Sequence, residues 1–261
     1  MALGPPPTPE PRESAEHFLA RAFDHARAAM KSIGHDVGDA VEVRIDPKLP
    51  FMGYSHPLRR GYRIVVSGGS LRSGMLEGLL LHEMSHIVRM RAGHVSHDPK
   101  AHEEAIAAFA AGAFALDYQQ KALHDLINNV EDLYADDLSV RAMRAAKVME
   151  DSVLIRFLQD WVTDAPVRTN DAAKDRWANA WLVANNARAL AQMERHRIPD
   201  TGSAAAAANA RLLGALGGQA SKHFEFFRRI LVGLQEEVSR EKFKDEMVTY
   251  LGRFLESANG T

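Results

Sequence analysis

Strand-like alternation occurs only between residues 40 and 67 of this chain, and from Ser73 onward the apolar residues recur at helical spacing. That asymmetry limits the fold more than any other feature. Ala40 to Ile45 (AVEVRI) alternates, with Val41, Val43 and Ile45 on one face, and Gly61 to Ser67 (GYRIVVS) is β-branched and closes on Gly68-Gly69. A loop with Pro50, Gly53, Tyr54, His56 and Pro57 is expected between them. Ahead of these strands, Ser14 to Ile33 carries Phe18, Leu19, Ala22, Ala26, Ala29 and Met30 at helical spacing and stops at Gly34.

After the strands, a helix is predicted from Ser73 to Ala92, ended by Gly93. Asp98-Pro99 supplies an N-cap and a first-turn proline for further helix from Lys100 to about Gln159, with breaks allowed. Within it, the Ala- and Gly-rich stretch Ala105 to Leu116 reads as a buried helix packed closely against its neighbours. Pro166 marks a connector. Asp171 to Arg195 and Gln219 to Leu255 read as two further helices, and the alanine run at 204–208 favours helix between them. A small N-terminal sheet beside a helical body predicts a predominantly helical α+β fold. The expected organisation is a disordered, proline-rich tail over 1–12, a core over 13–163 and a helical C-terminal region over 164–261 that could belong to the same domain.

Composition excludes several classes. A formal net charge of −2 with no basic stripe argues against nucleic-acid binding. The most apolar stretch is about half the length needed to cross a bilayer, and no signal-peptide pattern opens the chain, so a soluble, cytoplasmic protein is expected. There is no cysteine, so any transition metal must be held by His, Asp and Glu.

Residues 82–86 read His-Glu-Met-Ser-His. On a helix, positions i and i+4 stack one turn apart, so both imidazoles point the same way and can share one zinc ion at about 2.0–2.1 Å each. Glu83 beside the first ligand suits the general base that takes a proton from water on the metal. With 12 His and the chain's glutamates scattered at random, roughly 0.03–0.04 matches to this pattern are expected. Leu79, Leu80, Leu81, Ile87 and Val88 flank the motif and can bury its helix, leaving the histidines facing a cleft.

A hydrolytic zinc site needs a third protein ligand. A third His six residues after the second is ruled out, because Ala92 stands there, with Arg89 where a Gly would be needed. His94 and His97 lie just past the helix end; either could bind metal, but neither fits a known ligand spacing. The other route takes a carboxylate from the acid-bearing helical segment Leu126 to Val140. Glu131 is the first choice there, with Asn128 and Asp136 orienting ligands, and Asp132 is the rival. A solvated acidic face would explain the same residues without any metal.

His82-Glu83-Met84-Ser85-His86 followed by an Asn-x-x-Glu-Asp helix resembles the gluzincin metallopeptidases, especially those encoded with von Willebrand A-type proteins. The resemblance spans about Gly61 to Val140, and its first motif is the specific one. It implies zinc ligands at His82, His86 and Glu131, a general base at Glu83, and a peptide or protein substrate. It also implies that the strand Tyr62 to Ser67 forms the cleft edge, where an extended substrate would pair backbone to backbone. Many gluzincins carry an Asp four residues after the ligand Glu; here Ala135 stands there and Asp136 one further. Tyr54, His56, Tyr134, His223 and Tyr250 are candidates for stabilising a transition state, none favoured over the others.

The expected activity is peptide hydrolysis, internal bonds slightly preferred. Alternatives are a catalytically inactive, zinc-stabilised scaffold, or hydrolysis of a non-peptide amide. The C-terminal helices carry no readable motif and could cover the cleft, dock a partner or support self-association.

Overall fold

The computed structural model describes residues 14–110 and 112–260. The tail expected over 1–12 lies outside them. Helix α1 (Ala15–Ser32) starts where Ser14 Oγ accepts the His17 main-chain N–H at 3.2 Å, and it buries Leu19, Ala22, Phe23, Ala26, Ala29 and Met30. Strands β1 (Val41–Asp46), β2 (Gly53–Pro57) and β3 (Tyr62–Ser67) form one sheet in the order β1-β3-β2, β3 being parallel to β1 and antiparallel to β2. At the entrance to β3, Gly61 adopts φ +89°, and a Cβ there would lie 1.9 Å from the Ala40 carbonyl. Only glycine lets that turn close tightly enough for Tyr62 N–H to reach the same carbonyl at 2.8 Å.

Two expectations change here. The segment read as a loop around Gly53 to Pro57 is strand β2, whose glycine and proline suit an edge position. Strand β3, expected at the cleft edge, is central and has a hydrogen-bonded neighbour on each side. The edge that adjoins the cleft described below is β2, beginning at Gly53, because α2 crosses that side of the sheet.

Eight helices follow the sheet among the described residues: α2 (Leu76–Arg91), α3 (Pro99–Ile106), α4 (Asp117–Ala146), α5 (Asp151–Asp160), α6 (Ala172–Arg195), α7 (Ala204–Leu216), α8 (Ala220–Gly233) and α9 (Arg240–Asn259). The result is a predominantly helical α+β fold. Asp98 caps α3 through the Lys100 N–H at 2.9 Å, with Pro99 in its first turn, and Asp171 caps α6. The stretch read as a buried helix from Ala105 to Leu116 is not one. Only Ala105 and Ile106 are helical, and the described residues from 107 to 116 are turns, mostly exposed. Alanines around Gly112, at φ +93°, offer too little side-chain area to hold a helical face against a core. The expected single helix from Gln219 to Leu255 is two, α8 and α9, joined by a connector at 234–239.

Helix α4 is the spine. Its Leu126, Val130, Leu133 and Tyr134 join α3, α6, α8 and α9 in one apolar cluster, whereas Ala142 and Met143 belong to the cluster of α1, the sheet and α2. Val140 enters a third cluster with Leu154 and Leu158 of α5 and Ala205 and Ala208 of α7. Helix α6 therefore packs directly on α4 instead of forming a separate layer. No helix of the described residues is long and apolar enough to cross a membrane.

Candidate metal centre

Helix α2 buries Leu79, Leu80, Leu81, Met84 and Ile87 on one side and turns His82 and His86 toward α4. The two Nε2 atoms lie 3.0 Å apart. From α4, Asp132 Oδ1 approaches to 3.2 Å from His86 Nε2 and 3.6 Å from His82 Nε2. Ligand atoms of His82, His86 and Asp132 all lie within 4.8 Å of one another. Two donors held about 2.05 Å from one tetrahedral ion would stand about 3.3 Å apart, so the three separations bracket what zinc requires.

Glu131, expected as the third ligand, is not brought to the imidazoles. Its Oε1 lies 3.5 Å from His102 Nδ1, on the side of α4 that faces α3. Burial pushes its carboxyl up to about 7, the charge of Asp132 adds to that rise, and His86 opposes it. Asn128, expected to orient a ligand, contacts His124 one turn away instead. Asp136 does orient one: its Oδ1 accepts from His82 Nδ1 at 2.7 Å and from Ser139 Oγ at 3.0 Å, and its Oδ2 accepts from Gln192 of α6. Asp136 follows Asp132 by four residues. The departure noted at Ala135 disappears once Asp132 is the carboxylate facing the histidines.

Two residues missed in the sequence complete this layer. Arg188 of α6 sets Nη2 3.1 Å from Asp132 Oδ2 and lies 4.2 Å over the Trp161 ring, while Gln192 one turn later reaches Asp136. Their signal was weak but present: an Arg and a Gln at i, i+4 among Ala184, Ala187, Ala189 and Ala191.

The hydrogen bonds fix the tautomers. A carboxylate can only accept, so His82 carries its hydrogen on Nδ1 toward Asp136 and leaves Nε2 bare. His86 Nδ1 lies 2.8 Å from His97 Nε2, whose Nδ1 lies 2.8 Å from Ser96 Oγ. Two imidazole nitrogens and a carboxylate oxygen converge where the rings meet, an arrangement that could hold a metal ion. Burial works to lower the His82 pKa, but the Asp136 and Asp132 carboxylates outweigh it and raise it well above the ordinary value. Asp132 is held well below the usual carboxylate range: burial opposes ionisation, and Arg188, His82 and His86 overcome it.

Glu83 is buried, 5% exposed, on the floor of a cleft of about 380 Å³. No hydrogen bond or ion pair engages its carboxylate among the described residues. His82, Asp132, Asp136, Arg188 and Gln192 provide the polar part of the cleft. The opposite wall is apolar: Leu79 of α2, Met143 of α4, and Leu154, Phe157 and Trp161 in and after α5. Gly78, one turn before His82, leaves room for Met149 to pack into that wall, since a Cβ there would lie 2.3 Å from Met149 Cε. Phe51 and Gly53 form the rim beside β2. Of the transition-state candidates, Tyr134, His223 and Tyr250 are buried in packing positions and Tyr54 stacks on His56 along β2; none lines the cleft.

The fold and site together describe a helical α+β protein with a two-histidine, one-carboxylate cluster opening on an apolar cleft. Residues 15–255 match the model described as "Family of unknown function (DUF5781)", and the chain belongs to that family. No curated protein and no solved structure matches it.

Proposed function

We propose that this protein is a zinc-dependent peptidase in which His82, His86 and Asp132 hold the metal and Glu83 is the general base. The observation that carries the reading is the meeting of two imidazole Nε2 atoms 3.0 Å apart with a carboxylate oxygen, beside a buried glutamate that has no hydrogen-bond or ion-pair partner among the described residues. Zinc, when bound, would acidify water and polarise a carbonyl oxygen at the corner left open toward the cleft.

The chain's own groups supply the rest. Asp136 keeps His82 in its ligand tautomer, and Arg188 fixes the far oxygen of Asp132. The Glu83 carboxylate takes the proton of the attacking water and returns it to the leaving nitrogen. The apolar wall of α5 shelters that transfer from bulk water and favours a substrate that places a large apolar side chain against Phe157 and Trp161. A structural zinc site would be closed by four protein ligands and would have no use for Glu83, which favours catalysis over the scaffold alternative. The absence of cysteine suits a reducing compartment, in keeping with a cytoplasmic protein.

The test is zinc analysis and a peptide-cleavage panel on wild type beside Glu83→Gln. Comparable zinc in both, with cleavage only by wild type, is the expected result. Equal cleavage by the two would remove Glu83 from the mechanism, and a wild type that takes up no zinc would end the reading.

A further inference from the structure

His82 and His86 are supported differently. His82 leans on a carboxylate, whereas His86 leans on another imidazole, and behind that imidazole a line of hydrogen bonds runs to a segment far away in the sequence. His86 Nδ1 meets His97 Nε2 at 2.8 Å; His97 Nδ1 meets Ser96 Oγ at 2.8 Å; Ser96 Oγ meets His94 Nδ1 at 2.7 Å; His94 Nε2 meets the main-chain carbonyl of Glu236 at 2.7 Å. Glu236 lies in the connector between α8 and α9.

The direction of every bond in this line follows from its far end. The Glu236 carbonyl can only accept, so His94 carries its hydrogen on Nε2. The Ser96 main-chain N–H donates to His94 Nδ1 at 3.3 Å, which independently marks that nitrogen as an acceptor. The Ser96 hydroxyl therefore spends its one hydrogen on His94 and must accept from His97 Nδ1–H. His97 Nε2 is then the acceptor for His86 Nδ1–H, and His86 Nε2 is left with a free lone pair aimed at His82 and Asp132.

We propose that His97, Ser96 and His94 are positioning residues forming a one-way relay, through which the Glu236 carbonyl fixes His86 in the tautomer that can bind a metal. This rests on the zinc reading given above but makes a separate claim, that the state of His86 is imposed by the connector at 234–239. The same residue clamps the connector in place: Glu236 Oε1 lies 3.0 Å from Arg89 of α2 and 2.9 Å from Arg141 of α4. Arg89 is three residues beyond His86 on the same helix, and its Nε also holds the Tyr134 carbonyl of α4 at 3.2 Å. Movement of the connector would therefore be felt at the metal site through the relay and through α2 together.

The experiment is long-range ¹H–¹⁵N NMR of the histidine side chains in the full chain, with and without zinc, alongside zinc affinity by chelator competition for wild type and Ser96→Ala. Without metal, His94 should carry its hydrogen on Nε2 and His97 on Nδ1. With zinc, His86 should be Nδ1-protonated. Ser96→Ala, which deletes one oxygen at the middle of the line, should release His97 from its single tautomer and weaken zinc binding by about 10-fold to 100-fold. The opposite tautomer at His94 or His97 in the metal-free wild type would overturn the relay, as would Ser96→Ala with unchanged tautomers and unchanged affinity. A wild type that binds no zinc would defeat the metal reading alone, because the metal-free tautomers still decide the relay.

Discussion

Asp136 and His82 are joined by a 2.7 Å hydrogen bond from the ring Nδ1 to the carboxylate, across the interface of α2 and α4. The bond leaves His82 Nε2 bare toward His86, and Ser139 and Gln192 hold the carboxylate in turn. Asp136→Asn keeps the size and an acceptor oxygen but removes the charge that makes the imidazole a stronger donor of its lone pair. Zinc affinity, measured by chelator competition, is expected to fall by about 10-fold or more with the fold intact by circular dichroism. An unchanged affinity would separate Asp136 from the metal site.

Asp132 and Glu131 are neighbours in sequence that face different partners. Asp132→Ala should abolish stoichiometric zinc binding, whereas Glu131→Gln should retain it, because Glu131 lies against His102 of α3. Metal analysis of the two variants after dialysis decides between them. Zinc lost from Glu131→Gln and kept by Asp132→Ala would restore the ligand set that the family resemblance implies.

Glu236 makes a pH prediction whose sign can be worked out. Burial tends to raise its carboxyl pKa, but Arg141 and Arg89 outweigh that and lower it below the ordinary value of 4.5. A carboxylate with a depressed pKa in the folded state stabilises the fold above the unfolded-state value. That contribution is lost as pH falls through the folded-state value. Glu236→Gln should therefore lower the thermal midpoint at pH 7, and the difference from wild type should shrink on acidification below about pH 4.5. The side chain is partly exposed, so added salt should also narrow the gap. A difference that grows in acid would contradict the assignment.

The helical motif, the cap at Asp98 and the strands read at 40–45 and 61–67 were legible in the sequence because each is written in near neighbours. A carboxylate immediately before a helix, an i, i+4 pair and a two-residue alternation need no knowledge of the rest of the chain. Strand β2 was not legible, since Gly53 and Pro57 disguise an edge strand as a loop, and only pairing with β3 makes it one. Nor was the helix-like reading of 107–116 correct, because alanine's preference for helix cannot substitute for a face to bury.

The sequence by itself determined that two imidazoles would share one face of a buried helix with a glutamate beside the first. It also determined that any third ligand must be an oxygen or another imidazole, for want of cysteine. Only the tertiary structure decided that the carboxylate facing the two imidazoles is Asp132. Adjacent residues on a helix point about 100° apart, and the rotation of α4 is set by Leu126, Val130 and Leu133 burying against distant helices. The same packing brought Arg188, Gln192 and the Glu236 carbonyl to the site from α6 and the α8–α9 connector. Local periodicity can mark a residue such as Arg188 or Gln192 as unusual on its helix, but it does not say which distant segment that residue will meet.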